Sequence, residues 1–222
     1  MVSKHQSRFL EGVIESPTVS TQDEDLCAGI LQGAEAVIMR SGIRNLRMDD
    51  VARELRISKK TIYRCYSSKA ELMDAVVDSV LRTAEAQFSA VRHDAALATV
   101  AKIRASFTVA HAVFRRIGER VLEDLAYSHR DLWQRVDTRR RSILHTHFQE
   151  LIRAGRNEGV VRSDLDTALT VTVLVRALTR VIRPDELVEL PYPIEAVFDN
   201  LMTLLITGVL TERGRTDFQA EV

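Results

Sequence analysis

From residue 21 onward, apolar side chains recur at spacings of three and four, the period of helices buried on one face. Thr21 followed by Glu24 offers a capping box, after which Leu26, Ile30, Ala34, Val37 and Ile38 mark a first helix that Gly42 ends. Met48, Val51, Ala52 and Leu55 share one face of a short second helix, and Ser58 is a natural N-cap for a third running to about Arg64. Ser68 and Glu71 form a further capping-box pattern before a long fourth helix that carries Leu72, Val76, Val80, Ala84, Phe88 and Val91. Helices are then predicted over 95–116, 119–127 and 130–156, with Ser128 capping the last of these ahead of Asp131. One more runs over 164–183, stopped by Pro184, and a last over 194–212. The pattern predicts an all-α protein of about nine helices without a strand, preceded by an unpatterned arm over 1–20.

Composition narrows the possibilities. With 222 residues, 31 Lys and Arg against 31 Asp and Glu, and 45 % hydrophobic residues, the chain is neither a uniformly basic polyanion binder nor disordered. Any affinity for polyanions must come from local clustering. No apolar run reaches the roughly 18 residues of a membrane span, and no apolar stretch follows Met1 that could act as a secretory signal. Two cysteines, Cys27 and Cys65, are too few for a disulfide framework and fit a reducing cytoplasm; buried structural thiols are expected, with a redox switch between the two as the alternative.

The informative segment is 42–69. Two helices too short to be stable alone, joined by a tight turn, must bury Val51, Ala52, Leu55, Ile57 and Ile62 against a third helix through Ile30, Ala34 and Val37. That is helix-turn-helix geometry, whose second helix enters a major groove about 12 Å wide. Charge agrees: between Arg40 and Lys69 lie nine Lys and Arg against Asp49, Asp50 and Glu54. The excess falls where a phosphate backbone would pass.

Residues 25–75 resemble the TetR-type transcriptional regulators. Ile30-Leu31, Ala34 and Gly42 are similar to that family's first helix, and Val51-Ala52 to its second. Ser58, Thr61-Ile62-Tyr63, Tyr66, Ser68-Lys69 and Glu71-Leu72 are similar to its recognition helix and the exit from it. Two positions depart from the pattern: Arg56 stands at a turn position usually held by Gly, and Cys27 replaces an Arg near the start of helix one. The resemblance implies a ligand-responsive repressor that binds a palindromic operator in double-stranded DNA as a homodimer. Its DNA contacts would be Arg47, Ser58, Lys59, Lys60, Thr61, Tyr63, Arg64 and Lys69. Arg47 and Lys69, at helix N-termini, would hold phosphates. Tyr66 is expected to pack between helices one and four. The implied organisation is an arm over 1–20, a DNA-binding domain over 21–68, and an effector-binding and dimerisation domain over 69–222.

Helices near 165–182 and 194–210 are apolar on more than one stripe, so two faces must be buried, one of them against a second copy. The resemblance also implies an unknown small-molecule effector, with Phe107, His111, Phe114, Trp133 and Phe148 as candidate pocket residues. Arg176 and Arg180 could hold an anionic effector or make interface salt bridges, the second being the preferred reading, and Arg139-Arg140-Arg141 is read as a solvated face. His145 and His147 are two apart and diverge on a helix, Glu-x-x-His is missing, and neither a phosphate-cradling glycine loop nor a nucleophile motif occurs. No metal, cofactor or catalytic residue is therefore expected, and the chain reads as a non-enzyme. The alternative is an all-α small-molecule-binding protein or enzyme with a vestigial helix-turn-helix.

Overall fold

The computed structural model describes residues 21–181, 183 and 191–220. The expected arm over 1–20, Ile182 and Pro184 lie outside these residues. The described residues form ten helices: α1 (Thr21–Ser41), α2 (Met48–Leu55), α3 (Lys59–Cys65), α4 (Lys69–His93), α5 (Thr99–Ile117), α6 (Glu119–Ser128), α7 (Arg130–Asn157), α8 (Thr167–Val181), α9 (Ile194–Val209) and α10 (Glu212–Gln219). The only extended pairing among them is an isolated bridge between Val161 and Leu210. None of the described helices is long and apolar enough to cross a membrane.

Two apolar clusters organise the packing. The first joins Ile30, Ala34, Val37 and Ile38 of α1 to Val51, Ile62, Leu72 and Val76, and continues into α6 and the start of α7 through Leu122, Leu125 and Trp133. Ile43 and Leu46, in the α1–α2 connection, are also fully buried in it. The packing of the helix-turn-helix therefore runs without a break across the 68/69 division into the larger part of the chain. The second cluster is formed by Ile103, Phe148, Leu151, Leu174, Leu178, Phe198, Met202 and Ile206, among others. It fixes α8 and α9 against α5 and α7.

Several boundaries differ from the sequence reading. The start of α8 lies at Thr167 because Asp166 caps it, its Oδ1 accepting from the Leu169 amide at 2.7 Å. Ser128 belongs to α6, and α7 starts after His129 without a side-chain cap. The expected last helix ends at Val209, and a tenth follows, capped by Thr211, whose hydroxyl accepts from the Gly214 amide. Arg56 ends α2 at φ 56 and ψ 39, the left-handed conformation that its position demands and that glycine adopts at lower cost. It is the only non-glycine at positive φ among the described residues.

His147, on α7, is completely buried, with Nε2 2.7 Å from Ser106 Oγ and its ring 4.8 Å from that of Phe88. Burial, assisted by the positive charge of Arg92, holds this imidazole down to about 4. Unfolded, the same group takes its proton near pH 6.5, so between those values the unfolded chain binds more protons. Lowering the pH from 6.5 to 4 should therefore remove about 3 kcal/mol of stability through this residue alone. A titration of the His147 ring followed by NMR checks this: a midpoint near 4 is expected, and a midpoint near 6.5 contradicts it.

Candidate nucleic-acid interface and effector cavity

Helix α3 is positioned from three sides. Ser58 caps it, its Oγ accepting from the Thr61 amide at 3.1 Å, and Ile62 is fully buried beneath it. The Tyr66 hydroxyl donates to the Cys27 carbonyl of α1 at 3.1 Å, in keeping with a packing role. After it, Ser68 caps α4, and Glu71 folds back to accept from the Ser67 amide at 2.7 Å, fixing the angle between the two helices. The Ser67 hydroxyl and amide hold the Glu71 carboxyl below its usual pKa.

The outer surface of α3 carries the predicted contacts. Lys59, Lys60, Tyr63 and Arg64 are exposed, Tyr63 at 48 %. Arg47 is exposed at the start of α2, and Lys69 is half-buried at the start of α4. Two of the cations are already paired with acids: Lys59 Nζ lies 3.0 Å from Asp49 Oδ1, which raises its pKa, and Arg64 Nη2 lies 3.0 Å from Asp23 Oδ1. Such exposed pairs are weakly held, so a phosphate can displace the carboxylate. Lys60 makes no ion pair among the described residues. The Ser58 and Thr61 hydroxyls are 2.8 Å apart and bonded to each other, so both serve first to close the turn.

Cys27 and Cys65 correct the sequence reading. They are not free thiols but a disulfide, with Cα atoms 5.4 Å apart, joining α1 to the last residue of α3. Their spacing of 38 residues hid the pairing, which depends on α3 lying across α1.

A cavity of about 130 Å³ lies between α4, α5, α6, α7, α8 and α9. Phe114, Trp133 and Phe148 line it, as do Phe88, Phe198 and Met202. Phe107 does not reach it and packs on Phe218 with ring centroids 5.9 Å apart. His111 is also displaced, its Nε2 lying 2.6 Å from Asp199 Oδ1 at the surface. Arg176 and Arg180 are exposed on α8 and do not line the cavity.

Arg140 does, which corrects its reading as part of a solvated face. Its side chain is 20 % exposed, with Nη2 donating to Asp137 Oδ1 and to the Thr179 carbonyl, both at 3.0 Å. The guanidinium lies over the Trp133 ring, 5.5 Å from its centroid. Burial lowers its pKa, with Asp137 opposing that shift and the charges of Arg141 and Arg183 adding to it.

Comparison with known proteins agrees with this architecture. Residues 30–76 match the pattern of the family described as bacterial regulatory proteins, tetR family. No curated protein matches the sequence. Among solved structures, a TetR-family transcriptional regulator from Cytophaga hutchinsonii superposes with a TM-score of 0.66 at 14 % identity, covering 87 % of this chain and 98 % of that one. SmeT, the repressor of the Stenotrophomonas maltophilia multidrug efflux pump SmeDEF, gives 0.62 at 15 % identity, with 84 % and 91 % covered. A TetR/AcrR-family regulator from Thermobifida fusca gives 0.60 at 21 % identity, with 83 % and 98 % covered. At these identities the likeness is one of fold. The chain has the all-helical TetR-like fold.

The disulfide generates a stability prediction. Closing a loop of 38 residues restricts the unfolded chain enough to contribute up to about 4 kcal/mol. Urea unfolding of protein purified without thiols, with and without added reductant, should show the reduced form losing a substantial part of that. Quantitative alkylation of both cysteines in the unreduced native protein would contradict the bridge.

Proposed function

We propose that this chain, whose residues 30–76 match the pattern of the bacterial tetR family of regulatory proteins, is a DNA-binding transcriptional regulator, a repressor that works as a homodimer in the cytoplasm and responds to a small-molecule effector. The observation that carries the reading is the outer face of α3. Lys60 and Tyr63 stand exposed on a capped helix whose inner face is fully buried, flanked by Arg47 and Lys69 at two helix starts. Tyr63, Lys69 and Arg47 suit backbone phosphates, and Lys59, Lys60 and Arg64 suit phosphates or base edges.

A face left uncovered on two neighbouring helices supports the homodimer. Val171, Val175 and Leu178 of α8 are buried, while Leu169 and Val173 are 64 % and 51 % exposed. On α9, Leu204 is 71 % exposed opposite buried Met202 and Ile206. Such a two-sided apolar pair fits an isologous four-helix interface, which would set two reading helices against two half-sites.

The cavity is placed to influence the reading head. Phe114 and Leu122 line it, and between and beyond them Arg116 is ion-paired to Glu35 of α1, while Asp124 Oδ2 accepts from the Arg44 amide at 3.0 Å. A ligand that favours one arrangement of α5 and α6 would thereby shift the position of the head. Nothing in this scheme requires a catalytic group or a cofactor.

Duplexes selected by the protein from random sequence should be inverted repeats, bound with two chains or a multiple of two per duplex. In fluorescence anisotropy the logarithm of the affinity should fall linearly with that of salt concentration, and Lys60→Ala, which removes one cation from each of the two chains, should weaken binding and flatten the slope by about two. Absence of binding to any duplex at low salt would contradict the reading and favour a small-molecule-binding protein with a vestigial helix-turn-helix.

A further inference from the structure

The cavity wall is apolar apart from Ser106, Arg140 and the indole N–H of Trp133. Ser106 is occupied: its hydroxyl is 2.7 Å from the Lys102 carbonyl and 2.7 Å from His147 Nε2. Arg140 is not. Both of its hydrogen bonds to protein acceptors use Nη2, and its buried Nε has no acceptor among the described residues. Its one carboxylate partner is divided, since Asp137 also binds Arg141 Nη1 at 2.8 Å. Asp137 therefore stands between two guanidiniums, and the local balance is positive. Placing a cation in an apolar wall is unfavourable unless something answers its charge. A guanidinium with open N–H groups is shaped to receive a planar oxyanion.

The size of the cavity limits the rest of the ligand. Its volume of about 130 Å³ is close to that of cavities of roughly 150 Å³ that hold one benzene ring. Among the rings of Phe88, Phe114, Trp133 and Phe148 the one polar group is the Trp133 indole N–H, so the body of the ligand is mainly apolar.

We propose that the cavity binds a small hydrophobic carboxylate, with an aryl or short alkyl body among these rings and its carboxylate on Arg140. The proposal rests on the reading of the cavity as an effector site and adds the chemical class of the effector.

Isothermal titration calorimetry on the full chain tests it, with benzoate, phenylacetate and octanoate as probes, each beside its uncharged amide. A charge-assisted hydrogen bond lost from a water-excluded site weakens binding by about tenfold or more. At least one acid should bind, and it should bind about tenfold or more tightly than its amide. In Arg140→Gln that preference should collapse, which a purely structural role for Arg140, tying α7 to Thr179 of α8, would not cause. Because the acid–amide comparison is made on the unaltered protein, the test survives poor folding of the variant. Equal or tighter binding of the amides overturns the proposal, as does failure of all three acids to bind. Selective binding of an acid that leaves the affinity for DNA unchanged upholds the proposal and removes the effector reading. Release of DNA by amides alone upholds the effector reading and removes the proposal.

Discussion

Helices of eight and seven residues have no stability of their own in water, so α2 and α3 exist only because α1 and α4 bury their inner faces. Val51 and Ile62 are the points of attachment, each with no exposed surface, seated against Ile30, Ala34, Val37 and Leu72. This burial makes an orientation out of a sequence pattern: once the inner face of α3 is fixed, Lys60 and Tyr63 have only one direction to point. The disulfide adds a covalent constraint at the same place, tying the end of α3 to α1.

The same cluster runs on into α6 and α7, and this continuity matters more for function than any division between domains. Trp133 and Leu122 belong to the packing of the head and also to the wall of the cavity. In the proposed scheme a change in the cavity would act on side chains that share one apolar cluster with the head. Charged contacts reinforce the link, since Glu35 of α1 is nearly buried and its partner is Arg116 of α5.

Much of the head was legible in the sequence because each boundary there has one local cause. Met48 and Leu55 delimit a four-position stripe, Ser58 and Ser68 are unambiguous caps, and Gly42 supplies the positive φ that ends α1. Elsewhere the local signals compete or are silent. Asp164 and Asp166 are both plausible caps, and only the backbone shows that Asp166 acts as one. Helix α10 is short and interrupted by Gly214, so its period is too weak to read. The cysteine pairing depends on helix crossing. Arg140 was misread for a geometric reason: three consecutive arginines advance about 100° each around a helix and cannot share one solvated face. Arg139 and Arg141 take the outer sides, and Arg140 is left to turn inward. The candidates Phe107 and His111 failed to reach the cavity because the period places residues on a helix but not against a particular neighbour.

The central claim is that α3 enters the major groove of a duplex twice, once from each chain of a dimer. Methylation interference on a selected duplex reads this directly, because a methyl group on guanine N7 lies in the major groove and one on adenine N3 lies in the minor groove. The account predicts loss of binding on N7 methylation in two clusters about one helical turn, or a whole number of turns, apart. Interference confined to adenine N3, or insensitivity of a tight complex to N7 methylation of guanines throughout the site, would contradict it.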